Sequence, residues 1–181
     1  MMAAYQAVIA FWFDEIEPKR WFGKDAGFDR IVTQRFAALH AQAACCELFA
    51  WRQAPQGRLA EILLLDQFSR NIFRDRPQAF AYDELALALA QEAVAQGADK
   101  SLSAKQRAFL YMPYMHSESA LIHECAVELF KAPGLEDNYR FEIQHKAIID
   151  RFGRYPHRNA ILGRESTDEE RAFIQSPGSG F

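Results

Sequence analysis

The stretch Arg151-Phe152-Gly153-Arg154-Tyr155-Pro156-His157-Arg158-Asn159, running on to Leu162-Gly163-Arg164, sets four arginines and a histidine within fourteen residues, with no acid among them. Gly153 and Pro156 interrupt any long helix here, so the cations are expected on a bent, fixed backbone. A guanidinium offers a planar fork of donors that matches carboxylate and phosphate oxygens. The chemistry this suggests is recognition of an anion, with His157 available to move a proton. Scaffolding ion pairs do not need His157 and Asn159 interleaved with the arginines, whereas ligand recognition commonly uses such mixtures.

Three further polar groups lie beside strongly apolar sequence. Asp66-Gln67-Phe68-Ser69-Arg70-Asn71 follows the most hydrophobic run of the chain. Asp66 and Arg70, four apart, share one helix face and can pair. In Tyr111-Met112-Pro113-Tyr114-Met115-His116-Ser117-Glu118-Ser119, His116 and Glu118 form an acid–base couple if the backbone folds them together. Ser117 or Ser119 can equally cap the next helix, with Glu118 at its positive end. Glu142 and His145, three apart on a helix, have the spacing of half a carboxylate di-metal site. A second such motif is missing, so no metal is assigned and His145 is expected to bond a nearby carbonyl or the Asp150 region.

Two readings of these groups stay open. In the first they converge on one hollow: Arg70, Arg151, Arg154 and Arg158 hold a small carboxylate or phosphate, Asn71 and Asn159 orient it, and His116 or His157 with Glu118 transfers protons. Asp66, His145 and Arg164 complete that set, and the reaction class is that of a hydrolase or lyase. In the second, Arg151, Arg154, Arg158 and Arg164 are struts paired with Asp66, Glu118, Glu165 and other acids, and a groove elsewhere binds a peptide or protein. No organic cofactor is implied: the chain has no phosphate-binding glycine loop, no dinucleotide fingerprint, no His-Glu-x-x-His and no nucleophile elbow.

The elements that must position these residues are helical. Val8, Phe11 and Trp12 fall at helical spacing; residues 26–47 form an amphipathic stretch with Phe28, Ile31, Val32, Phe36 and Leu39 on one stripe. After Pro55-Gln56-Gly57, the run of Leu59, Ile62, Leu63, Leu64 and Leu65 is apolar nearly all round, as a central helix must be. Residues 71–82 read as an irregular connection. Asp83 is placed as the cap of a helix that ends at Gln96 before Gly97. Ser103 with Gln106 and Thr167 with Glu170 are capping boxes, and the helix after Ser103 is expected to pause near Pro113. Helices over about 118–131 and from Asp137 to Gly153 follow, and Pro177-Gly178-Ser179-Gly180-Phe181 closes the chain after a short last helix. No strand alternation persists over five residues. The expected architecture is a single all-α domain over 1–181, with seven to eight antiparallel helices and no fixed-length repeat.

Composition agrees with one globular unit: 181 residues, 50% hydrophobic and 25% charged. A net charge of −3 argues against a general nucleic-acid binder. No window approaches the roughly twenty apolar residues of a membrane span, and the start lacks a secretory pattern, so a soluble cytoplasmic protein is expected. Cys45, Cys46 and Cys125 match no zinc spacing and are expected as reduced, largely buried thiols. The oligomeric state is not legible.

Taken together, Phe11-Trp12-Phe13, the run from Asp66 to Phe73, Tyr111 to Ser119, Arg151 to Ser166 and the glycine-rich tail to Phe181 carry a resemblance. The chain resembles, over almost its whole length, a family of bacterial and some eukaryotic proteins known only as a domain of unknown function. Members often have proline at the position of Ser69. The resemblance implies an α-helical fold similar to tetratricopeptide-repeat domains, and no activity comes with it. Such a fold suggests a concave surface of stacked helix pairs, of the kind that holds peptides or partner proteins.

Overall fold

The computed structural model describes residues 4–176, and the tail from Pro177 to Phe181 lies outside them. The described residues form helices joined by turns, with no strand. Nine helices follow in order. The first, α1, spans 4–15, its last turn (Phe11–Glu15) π-helical; α2 is Ala26–Ala44; α3 spans 55–72 with a π-helical stretch at Leu64–Phe68. Then come α4 (Asp83–Ala95), α5 (Ala104–Met115), α6 (Ala120–Phe130), α7 (Glu136–Phe152), the single turn α8 (Asn159–Leu162) and α9 (Asp168–Ile174). The turn at Asn159–Leu162 accounts for the difference from seven or eight.

Helix starts follow local chemistry. Asp25 caps α2 by accepting from Gly27 N at 2.8 Å and Phe28 N at 3.1 Å. Ser103–Gln106 and Thr167–Glu170 close as reciprocal capping boxes, each satisfying two backbone donors. Pro55 stands in the first turn of α3, where its missing N–H costs nothing. Asp83 is not a cap: it is the first residue of α4, and its carboxylate turns to arginines instead. Gly57 is required by packing, since a Cβ there would lie 2.1 Å from the Trp51 carbonyl oxygen. Gly153 ends α7 at φ +68°, a left-handed conformation that glycine adopts without strain.

The centre of the molecule is α3. Leu59, Ile62 to Leu65 and Phe68 are fully buried, and the helix packs against α1, α2, α4 and α5. Around it lies an aromatic cluster in which Trp12 meets Phe68 at 5.2 Å and Phe109 at 5.6 Å. From α4 to α7 each helix packs on the next, as short connections between antiparallel neighbours require. A second, smaller cluster of Ile148, Ile149 and Tyr155, backed by Phe152 and Phe173, fixes the C-terminal turns.

Four local expectations give way. The helix through Pro113 does not pause; it runs to Met115, because residues 110–115 are all buried and tertiary packing outweighs one absent ladder bond. The stretch after Asn71 keeps helix to Ile72, and Ile31 is exposed while Phe28, Val32 and Phe36 carry the buried stripe. All three cysteines are exposed and free. Cys46 sits in the turn after α2 at φ 59°, and Cys125 falls between the buried His123 and Ala126 on the opposite phase of α6.

Candidate functional site

The π-helical stretch of α3 carries the first polar residues. A π turn closes each hydrogen bond over one extra residue, so the chain is locally wider and side-chain phase shifts, a feature frequent at functional sites. Within it Asp66 is fully buried and Gln67 nearly so. Asp66 Oδ1 lies 2.6 Å from His116 Nδ1 and 3.3 Å from Arg70 NH1, and Gln67 Nε2 donates to Oδ2 at 2.5 Å. Burial alone would raise the Asp66 pKa; the charges of His116 and Arg70 overcome it and hold the carboxyl below its ordinary range. An ionised carboxylate only accepts, so the His116 proton sits on Nδ1. In the neutral ring Nε2 then has the lone pair, and this nitrogen makes no hydrogen bond among the described residues.

Arg70 reaches past Asp66 to the start of α4, where both its terminal nitrogens meet the Asp83 carboxylate at 2.9 Å. Arg158 shares that acid at 3.4 Å and donates to the His116 carbonyl at 3.0 Å. It is 6% exposed, held between the Phe80 and Tyr155 rings at 4.7 and 4.6 Å, and its Nε is buried with no acceptor among the described residues. Desolvation lowers its pKa, opposed by Asp83. The result is a confined guanidinium whose charge is incompletely matched, because the one carboxylate it pairs with is already gripped by Arg70 and Glu118 adds only a more distant charge.

These side chains wall a hollow of about 380 Å³. Gln67, Arg70, Asn71 and Arg74 come from α3 and its end, Trp21, Phe22 and Lys24 from the α1–α2 connection, and His116, His145, His157, Tyr155 and Arg158 from the C-terminal half. The acids that balance the cations stand mostly behind the wall: Asp29 holds Arg74 and Asn71, and Asp83 holds Arg70. Among the lining residues only Asp75 is acidic, against Lys24, Arg70, Arg74 and Arg158. A second hollow of about 400 Å³ shares Phe80, His116 and Arg158 with the first, so His116 borders both.

Burial, reinforced by the neighbouring positive charges of Arg158 and Arg70, lowers the pKa of His157 to about 4. Burial brings His145 to about 3, although its Nδ1 lies 2.7 Å from the Phe141 carbonyl oxygen. Both are neutral at pH 7. Among the described residues, no group of three or more His, Cys, Asp or Glu side chains is arranged to hold a metal ion.

The structure therefore brings Asp66, Arg70, Asn71, His116, His145, His157 and Arg158 to one place, Asp66 behind the wall and the rest on it. It sends the others elsewhere. Arg154 binds Glu170 through two nitrogens at 2.7 and 2.8 Å and the Glu165 carbonyl at 2.8 Å; Arg151 pairs with Glu169 near the surface. Arg164 clamps both oxygens of Glu118 at 2.7 and 2.9 Å and also bonds Asn159 Oδ1, whose amide donates to Ser166. Glu118 accepts the Tyr155 backbone N–H at 2.7 Å and is not hydrogen-bonded to His116. It borders only the second hollow.

Sequence reasoning missed Asp83 as the shared acid, the rim of Trp21, Phe22 and Lys24, and the buried pair His123–Glu142. In that pair Nδ1 and Oε1 are 2.6 Å apart, and His123 Nε2 lies 2.8 Å from the Ser117 carbonyl oxygen. The run Trp21-Phe22-Gly23-Lys24 was the one available hint of a rim; Glu142 reads with His145 and Asp83 as a helix cap, and no spacing ties either to its observed partner.

Comparison with known proteins fits this unassigned chemistry. The model of a family described as bacterial protein of unknown function (DUF924) matches residues 8–178. A solved structure of a protein of unknown function from Agrobacterium tumefaciens is similar at 39% identity and a TM-score of 0.90, over 94% of this chain and 96% of that one. No curated protein matches. No helix among the described residues is long and apolar enough to cross a membrane.

Proposed function

We propose that this chain, which belongs to the DUF924 family of bacterial proteins of unknown function, binds a small anionic molecule in the hollow beside His116 and acts on it as a hydrolase or lyase. The observation that carries the reading is the pairing of Asp66 with His116 next to the undermatched Arg158. Arg158, with Arg70 and Lys24, supplies the positive field for a carboxylate or phosphate. Asp66 fixes the Nδ1–H tautomer, and His116 Nε2 withdraws a proton from water or from the bound molecule. His157 and His145, neutral, add polar contacts without competing for the charge.

The test is thermal denaturation against acetate, malonate, methyl phosphate and inorganic phosphate. A ligand at about ten times its Kd adds roughly 1.4 kcal/mol and raises Tm by a few degrees. Arg158→Gln removes that rise and Arg154→Ala keeps it. A rise that survives Arg158→Gln contradicts the reading.

A second reading rests on Arg151, Arg154 and Arg164 being engaged by Glu169, Glu170 and Glu118. In it the stacked helix pairs are a tetratricopeptide-like scaffold for a peptide or protein, with exposed Leu121 and Phe141 as contact points. Recovery of one specific partner by a chain inert to every small anion favours it.

A further inference from the structure

The rim of the hollow says more about the ligand than its charge. Trp21 and Phe22 come from the α1–α2 connection, yet neither is loosely placed. Trp21 Nε1 donates to the Trp12 carbonyl at 2.9 Å, and its ring stacks on Trp12 at 6.4 Å and 20° and meets Phe109 edge-on at 4.9 Å. Phe22 lies nearly parallel to the buried Phe109 at 6.1 Å and 14°. Despite that seat, Phe22 is 69% exposed. A single exposed phenylalanine is unremarkable; one seated on the aromatic core at the rim of a cation-lined hollow, one residue from the glycine before Lys24, is a different case. On another wall, Phe80 lies under both Arg70 and Arg158, at 5.4 and 4.7 Å. The lining thus joins a cationic side to aromatic surface. Its volume of about 380 Å³ equals roughly a dozen waters at ~30 Å³ each, more than a bare phosphate or acetate fills.

We infer that the ligand is an aryl anion: a flat aromatic body against Phe22 and Trp21, joined to a carboxylate or phosphate that faces Arg158. This deepens the reading of the hollow as an anion site and rests on it. Aromatic surface gains both from leaving water and from ring–ring geometry, so an aryl group adds to affinity where an alkyl stub does not.

Titration calorimetry on the full chain with two matched pairs tests it: phenyl phosphate against methyl phosphate, and benzoate against acetate. The pair with measurable binding identifies the head group. Within that pair the aryl compound is expected to bind about tenfold more tightly, an increment of the size ring contacts give. Phe22→Ser, a change at an exposed side chain, is expected to bring the pair within about twofold while leaving the methyl compound's affinity unchanged. Equal affinities within each pair, or an aryl preference that survives Phe22→Ser, overturn this inference and leave the anion site standing. Absence of binding by all four compounds overturns both.

Discussion

The Asp66 carboxylate stands 2.6 Å from Nδ1 of His116, fifty positions along the chain, with Asp66 fully buried and His116 bordering two hollows. The pair ties the π-helical stretch of α3 to the end of α5. It serves stability and chemistry at once, because the same ionised oxygen holds the ring tautomer and offsets Arg70.

Asp66→Asn keeps the shape and removes the charge. Arg70 and His116 then face an amide, and breaking a buried pair of this kind costs about 3 kcal/mol. Urea denaturation is expected to show a lower midpoint at an unchanged m-value. A midpoint equal to wild type means the pair contributes nothing to the fold.

Acid weakens the protein well above the carboxylate range. The folded pKa values of His157, about 4, and His145, about 3, lie below the ordinary histidine value. Between roughly pH 6.5 and 4 the unfolded chain therefore binds protons that the native state refuses, and stability falls as pH falls, by up to about 2.7 kcal/mol per pH unit when both count fully. Urea midpoints from pH 7.5 to 4.5 measure it. A flat profile contradicts neutral, buried rings.

Glu142 and His123 share one proton. The Ser117 carbonyl requires N–H on Nε2, so the second proton lies between Nδ1 and Oε1, while burial raises the Glu142 pKa against the pull of His123. Glu142→Gln places an amide donor where the acid's proton would be and is expected to stay within about 1 kcal/mol of wild type. Glu142→Leu strands the His123 donor or acceptor and costs about 2–3 kcal/mol by denaturant titration. Equal losses in the two variants argue for a charged pair.

Arg154 and Arg158 differ in consequence despite standing four apart. Arg154→Ala releases Glu170 and the Glu165 carbonyl, loosening the attachment of α9 to the turn after α7. Faster amide exchange confined to 165–174 is the expected sign, with ligand response intact. Exchange that spreads into the hollow's lining contradicts this division of labour.

What could be read from the letters was local. The capping boxes at Ser103 and Thr167 and the apolar face of α3 lie within a few residues of the signals that announce them. Asp66 and Arg70 read as an i,i+4 pair and do approach, at 3.3 Å, but Arg70's closer partner is Asp83, thirteen positions on. Arg158 finds the same acid across seventy-five. Such choices depend on where helices meet, which spacing does not encode. Among four clustered arginines, Gly153 and the Tyr155-Pro156 turn aim one at the hollow, where it shares Asp83, and three at acids away from its lining, a division invisible in composition. The cysteines show the same limit: residue type suggested burial, and the turn after α2 (Cys45, Cys46) and the phase of α6 (Cys125) decided otherwise.

The most direct measurement is a ¹H–¹⁵N titration of the histidine side chains with inorganic phosphate at pH 7. Saturable shifts of His116 and His157, abolished in Arg158→Gln and retained in Arg154→Ala, are the predicted result. Histidine resonances that stay fixed while phosphate reaches tens of millimolar, or that shift identically in Arg158→Gln, contradict an anion site beside Asp66 and His116.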